Sequence, residues 1–561
     1  MANLPKTQYA VQLVGPDELV LNKSKEVFRP GPHQILCRVE VVGLCFSDLK
    51  LLKQFSSHVR KSEIVSGIGA EVLSQIPSYV PGEALTVPGH ETVVRIEAVG
   101  TVVEKYKPGE RYLVQTDYRW LRTASSNGAF GYNFEGALQE YVLMDERVIT
   151  SPEGDSMLLP ASEELSGSAI ALVEPWACVE DAYVSRERTN LKTDGRMLIV
   201  ADTKVPKDSL VKLFDRFGRP KQLTWLDEGR ETRDEGRETT RPSSFVHHPS
   251  SVARYDDVIY FGSNASIVEQ LFAKVAAHGL LNIVLCNGRF SRDVVATIGR
   301  VHYGGIRIIG TRGCDPAESM KIIPDTGEIR AGDKINVIGA GGPMGMMHVV
   351  RNICQGVEGV SVFASDIDDH RLANLTKIAA PLAKKNHVQY TSYNPTKSKN
   401  FEAFDYTVLM APIPALVAES VRNSAEQGLI NIFAGIPATV TGQIDLNAYI
   451  EKRLYLIGTS GSTLGDMKRM LEKAESGRLD TNVSVAAICG LDGAVEGIRA
   501  VENRTIAGKI MVYPACHGLG LTPLEELNEK LPEVEESLQE GLWTKQAEQK
   551  LLERYEKREV K

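Results

Sequence analysis

The run Ile335-Asn336-Val337-Ile338-Gly339-Ala340-Gly341-Gly342-Pro343-Met344-Gly345 passes from mostly apolar residues straight into a glycine cluster. A helical pattern follows through Met346, Met347, Val349 and Val350. Strand, tight turn and helix start in that order let the backbone come close to a pyrophosphate, which then sits at the positive end of the helix. About 20 residues on, the apolar run Val360 to Ala364 leads to Asp366, an acid placed to take a ribose hydroxyl pair. Three further residues could ligate a metal. Cys45 in Gly43-Leu44-Cys45-Phe46-Ser47-Asp48 and His90 in Pro88-Gly89-His90-Glu91 are ligand types that zinc takes, each beside a turn. Glu174, in Leu172-Val173-Glu174-Pro175-Trp176, would complete a Cys/His/Glu trio with an open fourth position, the pattern of a catalytic rather than a structural zinc. Each has a plainer reading: Cys45 as packing, His90 as an ordinary loop residue, Glu174 as a helix-start charge.

The elements that must position these groups fall into blocks. Up to about residue 150, short β-type runs (Gln34 to Val42, Val93 to Ile96, Val102 to Val103, Tyr112 to Gln115) alternate with Pro-Gly pairs, as in a compact β-barrel-like domain. Beyond residue 195, apolar strands at Met197 to Ala201, Val258 to Phe261, Leu281 to Leu285 and Ile306 to Ile309 alternate with helices, one showing Ile267, Leu271 and Val275 on a single face. The layout returns after residue 333, and strands alternating with helices imply parallel βαβ units. The two stretches read as copies: Tyr255-Asp256 answers Phe404-Asp405, Gly279-Leu280-Leu281-Asn282-Ile283 answers Gly428-Leu429-Ile430-Asn431-Ile432, and Ile309-Gly310 answers Ile457-Gly458.

The first copy lacks the glycine turn. It has Ala201-Asp202-Thr203-Lys204-Val205-Pro206 there, and Asp202 would repel a pyrophosphate. It also carries the charged repeat Asp227 to Thr232 and Asp234 to Thr239, which reads as a solvated loop. The expected fold is α/β, with boundaries at 1–190 (β-barrel-like), 195–315 (degenerate nucleotide-type module), 330–462 (intact dinucleotide module), 463–515 (return to the first domain) and 516–561 (charged helical tail).

At 561 residues the chain is too long for one hydrophobic core. Its net charge of −8 offers no basic field, so neither nucleic acid nor an anionic membrane is an expected partner. The eight cysteines include no C-x-x-C pair, which argues against a disulfide framework and a four-thiolate knuckle. With no apolar leader or membrane-length run, a cytoplasmic location is expected.

In combination, G-L-C-F-S-D at 43–48, P-G-H-E at 88–91, E-P-W-A-C at 174–178, the glycine turn at 339–345, S-D-I-D at 365–368 and A-G-K-I-M-V at 507–512 resemble the medium-chain dehydrogenase/reductase family. The likeness is to its zinc-dependent alcohol and polyol dehydrogenases, of the sorbitol dehydrogenase and sorbose-1-phosphate reductase kind. The resemblance implies a GroES-like catalytic domain and a Rossmann domain, with the degenerate module inserted before it. It also implies one catalytic zinc on Cys45, His90 and Glu174, with Glu91 beside the metal as a transient or water-bridged ligand. Ser47 would start proton relay, and Asp48 would orient His90. NAD would bind at Gly339, Gly341, Gly342, Pro343, Met344, Gly345 and Asp366, with NADP disfavoured because Asp366 repels a 2′-phosphate. The substrate would be a small polyol, sugar or sugar phosphate, its alkoxide favoured by the metal and its hydride passed to nicotinamide. A homo-oligomer is expected.

The departures also carry meaning. Where the family's structural zinc lobe should fall, near 112–130, this chain has no cysteine, so no structural zinc is expected. Lys50 stands where many relatives have a relay histidine. A metal-free reductase of the same superfamily and a non-catalytic nucleotide-sensing protein are the alternative readings.

Overall fold

The computed structural model describes residues 4–206, 208–227, 253–398, 402–459 and 461–559. The repeated charged segment from Glu228 to Thr239 lies outside them. The chain divides into two compact units, Met1–Cys178 with Ser462–Lys561, and Val179–Gly461.

The first unit is built on a sheet in the order Leu158–Pro160, Arg111–Val114, Glu91–Val99, Gln34–Gly43, Lys509–Val512, Val485–Cys489, Thr522–Pro523, with Tyr141–Asp145 also paired to Gln34–Gly43. Alternating apolar residues of these strands, including Val39, Val42, Val94, Ile96, Val142, Ile510 and Val512, form its core. Strand Gln34–Gly43 is the hub. At its end Gly43 faces Glu91 on one side and Met511 on the other, so three strand ends converge. A Cβ at Gly43 would overlap Glu91 Oε2, so a larger residue there would have to displace that carboxylate. Val102 and Val103, expected as a strand, lie in a turn after Glu91–Val99. The segment 516–561, expected as a charged helical tail, belongs to the first unit. Thr522–Pro523 joins the main sheet, and helix Lys545–Glu559 buries Ala547, Leu551 and the carboxylate of Glu548. Glu548 accepts hydrogen bonds from the Gly167 and Ser168 amides at 2.5 and 2.9 Å, capping the helix Gly167–Ala171.

The second unit holds two parallel sheets. One runs Gln389–Tyr393, Ser361–Ser365, Lys334–Ile338, Phe404–Leu409, Ser424–Ile432, Tyr455–Ile457. Numbered along the chain, that is the order 3-2-1-4-5-6 of a dinucleotide-binding sheet, whose ligand crevice lies at the carboxyl ends of the strands where the order reverses. The other runs Gln222–Asp227, Arg196–Ala201, Tyr255–Phe261, Val275–Val284, Arg307–Thr311, the same order without its third strand among the described residues. The helix expected to carry Val275 stops at Leu271. Val275 instead opens a strand and pairs with Tyr255, because the parallel ladder claims its backbone groups. Among the described residues, no helix is long and apolar enough to cross a membrane.

Candidate metal centre and nucleotide turn

Local sequence sets up the first ligand. Cys45 is the N-cap of helix Phe46–Gln54, and its amide donates to Asp48 Oδ2 at 3.0 Å. The other oxygen of Asp48 lies 3.2 Å from His90 Nδ1 and accepts from the Gly89 amide at 3.4 Å. This fixes the imidazole with Nε2 facing the cysteine, the usual way a carboxylate orients a ligating histidine. Ser47 Oγ sits 3.1 Å from both Cys45 Sγ and His90 Nε2. Burial works against a charged His90, but the neighbouring Asp48 carboxylate outweighs it and holds the imidazole well above its ordinary pKa. A metal at Nε2 would take the place of that proton.

Ligand atoms of Cys45, His90 and Glu91 lie within 4.8 Å of one another. Glu91 is fully buried at the start of its strand, one oxygen held 2.5 Å from Lys509 Nζ. Its other oxygen, Oε2, is buried and has no hydrogen-bond partner. A buried carboxylate oxygen left without a donor is costly, on the order of 1–3 kcal/mol or more. A cation beside it, the thiol and the imidazole would relieve that cost, and thiolate, imidazole and carboxylate are zinc's own donor types. The residues fit the metal.

Glu174 stands outside this tight trio. It lies in the first turn of helix Val173–Val184 and is buried. Burial pushes its carboxyl up to about 7; the His90 charge counters this and the Glu91 charge reinforces it. Such coupling puts Glu174 in the same electrostatic neighbourhood. Cys178 Sγ lies 4.0 Å from Glu174 Oε1.

Sequence reasoning missed Lys509, which also donates to the Leu44 carbonyl at 3.2 Å. Burial alone would lower its pKa, yet Glu91 holds it above the ordinary lysine value. It lies within the A-G-K-I-M-V segment, but no spacing signal ties it to Glu91, 418 positions away. Tyr132 was also missed. Its ring lies 5.8 Å from that of His90, stacks on His58 and carries the Arg60 guanidinium 5.4 Å from its centroid. Arg60 in turn pairs with Asp117 at 2.9 Å.

In the second unit the glycine turn resolves into separate roles. Gly339 adopts φ +83°, open to few other residues, and its amide donates to Ser365 O at 2.8 Å. Gly342 is the N-cap of helix Pro343–Cys354, with Pro343 in the first turn and open space where a Cβ would stand. Gly345 packs helix on strand so closely that a Cβ would lie 2.8 Å from Ala340 Cα. Met344 lies between them in the first helical turn. Asp366 Oδ2 accepts from the Gly341 amide at 2.9 Å and its Oδ1 from the Asp368 amide at 3.1 Å, so the acid is oriented at the carboxyl end of its strand. In the companion sheet the corresponding turn is closed. Asp202 Oδ2 accepts from Tyr260 Oη at 2.5 Å, and the Asp202 carboxylate occupies the space beside Gly262.

Residues 31–153 match the alcohol dehydrogenase GroES-like domain. The chain is 28% identical over 246 residues to the uncharacterized protein YggP of Escherichia coli (strain K12), covering 40% of this chain and 57% of that protein. It is 26% identical over 250 residues to the mannitol-1-phosphate 5-dehydrogenase of Aliivibrio fischeri (strain ATCC 700601 / ES114), covering 41% and 58%. The chain thus spans less than two thirds of the length of either curated relative. Among solved structures it is similar to 2R,3R-butanediol dehydrogenase from Bacillus subtilis, with a TM-score of 0.50 at 15% identity over 91% of this chain and 100% of that one, a likeness of fold alone. Residues 31–153 thus match the alcohol dehydrogenase GroES-like domain, on a chain whose fold is similar to that of a solved butanediol dehydrogenase.

Proposed function

We propose that the chain is a zinc-dependent oxidoreductase that moves a hydride between NAD(H) and the secondary alcohol or ketone of a polyol, sugar or sugar phosphate. The observation that carries this reading is the gathering of Cys45 Sγ, His90 and the Glu91 carboxylate within 4.8 Å, with Glu91 Oε2 lacking any other partner. Support for the substrate class comes from the name of a relative that acts on a sugar-alcohol phosphate. Zinc bound here would supply a Lewis acid that lowers the pKa of an alcohol towards neutrality. Cys45, His90 and a carboxylate, Glu174 or Glu91, would hold it.

The remaining chemistry belongs to the chain. Ser47 Oγ, in reach of Cys45 and His90, accepts the alcohol proton and passes it outwards. Asp48 keeps His90 in one tautomer, and Lys509 balances the charge of Glu91 so that the buried site does not carry two uncompensated carboxylates. Gly342, with open space beside it, leaves room for a pyrophosphate at the start of helix Pro343–Cys354, and Asp366 favours a free ribose 2′-hydroxyl over a 2′-phosphate.

The test is a panel of polyols, sugars and sugar phosphates with NAD or NADP, followed by nicotinamide absorbance with and without a chelator. Turnover that is lost on chelation and restored by Zn2+ is expected. Chelator-insensitive turnover would support the metal-free reductase instead, and no turnover on any substrate would remove the reading.

A further inference from the structure

The two sheets of the second unit share one apolar core, which includes Val294, Ala296, Ile298, Val301 and Ile308 from one half and Ile436, Ile444, Leu446, Ile450 and Leu456 from the other. The contacts across it obey a rule. Position 310 corresponds to position 458 in the repeat, and the same spacing relates 294–296 to 442–444, 302 to 450, 299 to 447 and 290 to 438. Strand Val294–Ala296 pairs antiparallel with Gly442–Ile444 in the register Val294↔Ile444, Val295↔Gln443, Ala296↔Gly442. Exchanging the two halves maps this register onto itself, with Val295 and Gln443 facing each other at the centre.

The exchange holds elsewhere. A Cβ on Gly310 would lie 2.7 Å from Ile450 Cγ1, and one on Gly458 would lie 2.9 Å from His302 Cα. The Asn447 amide bonds both the amide and the carbonyl of Phe290 at 3.0 Å, while Gly299 lies against Pro437 and Ala438 and donates to Val440 O at 3.3 Å. Position i of one half meets position j of the other, and j meets i. That reciprocity is the mark of an isologous two-fold interface, which normally relates two identical subunits.

We propose that residues 196–311 are a built-in partner: they cover the face of the 334–457 half that a second copy of that half would otherwise occupy. The second unit is thus a pseudo-dimer within one chain. Without the covering half, the apolar residues around Ile436, Ile444, Leu446 and Ile450 would form an exposed patch of the kind that drives association. The earlier half has kept the interface residues while its own turn is closed by Asp202 and Tyr260. A homo-oligomer, if formed, must use another surface. This inference is independent of the catalytic reading and fails or stands without it.

The central position of the register makes the test direct. In a pairing of two intact halves from separate chains, Gln443 would face its own symmetry mate; in the pseudo-dimer it faces Val295. Gln443 is exposed and Val295 half-buried, so cysteine is tolerated at both. Full-length Q443C and V295C/Q443C are oxidised mildly and read by non-reducing electrophoresis with peptide mapping. The expected result is an internal 295–443 disulfide in the double variant, at single-chain mass, and no 443–443 linked species from the single variant. A 443–443 cross-link between chains, a 295–443 link between chains, or no 295–443 link at all would each overturn the proposal.

Discussion

Replacing Lys509 by methionine tests the charge balance of the metal centre. Lys509 and Glu91 are 4% and 0% exposed, and their ion pair spans 2.5 Å. Removing one partner of a buried pair strands the other, at a cost of about 3–5 kcal/mol, whereas replacing both by apolar groups of similar shape is close to neutral. K509M should therefore melt roughly 5–15 °C below the parent in metal-free protein, and E91M/K509M should recover most of that loss. Zinc should narrow the K509M deficit, since a divalent cation beside Glu91 Oε2 supplies the missing counter-charge. The assay is thermal unfolding of parent, K509M and E91M/K509M, each with chelator and with added Zn2+. A K509M deficit under about 1 kcal/mol, or a double variant as unstable as the single one, would refute the argument.

Other residues yield sharper or simpler outcomes. Asp48→Asn removes the carboxylate that orients His90 and should lower zinc affinity or turnover about 10–100-fold, measured by metal competition and kcat, with folding retained. Gly345→Ala places a Cβ 2.8 Å from Ala340 Cα, an overpacking that should destabilise the chain by about 1–3 kcal/mol and weaken NAD binding, read by calorimetry. Burial, then the Arg60 and Lys50 charges, lower the pKa of His58 to about 4. Its unfolded form takes up a proton near pH 6.5 while the folded form does not. This contribution to stability is therefore complete above about pH 6.5 and falls by up to about 1.4 kcal/mol per pH unit towards pH 4. The stability gap between the parent and H58N should shrink over that window, and a gap independent of pH would contradict the reasoning.

Much of the local architecture was legible in the residues themselves. Ile335 to Ile338 running into Gly339 read as a buried strand entering a tight turn, and Asp366 follows the next apolar run at the spacing of one βαβ unit, whereas the positive φ of Gly339 came from the structure. Cys45, Ser47 and Asp48 could be grouped because they stand in one short fragment and match a family motif; that they share a helix start, Cys45 as its N-cap, came from the structure. Such readings succeed because the interactions that decide them lie within a few residues. They fail where distant backbone competes: Val275 continues a helical periodicity in sequence, yet its ladder with Tyr255 makes it a strand.

What balances the Glu91 carboxylate beside Cys45 and His90 was decided only by the sheet. Strand Gln34–Gly43 brings Glu91 to one side and the Lys509 strand to the other, and nothing in the spacing of residues 91 and 509 encodes that meeting. The sequence could also identify two copies without telling whether they sit apart or face each other. That answer rests on the antiparallel pairing of 294–296 with 442–444 and on the apolar face the two halves share, both long-range contacts. Periodicity and capping are properties of a segment, so a sequence determines them alone; charge compensation and burial are properties of a neighbourhood, and only the folded chain assembles one.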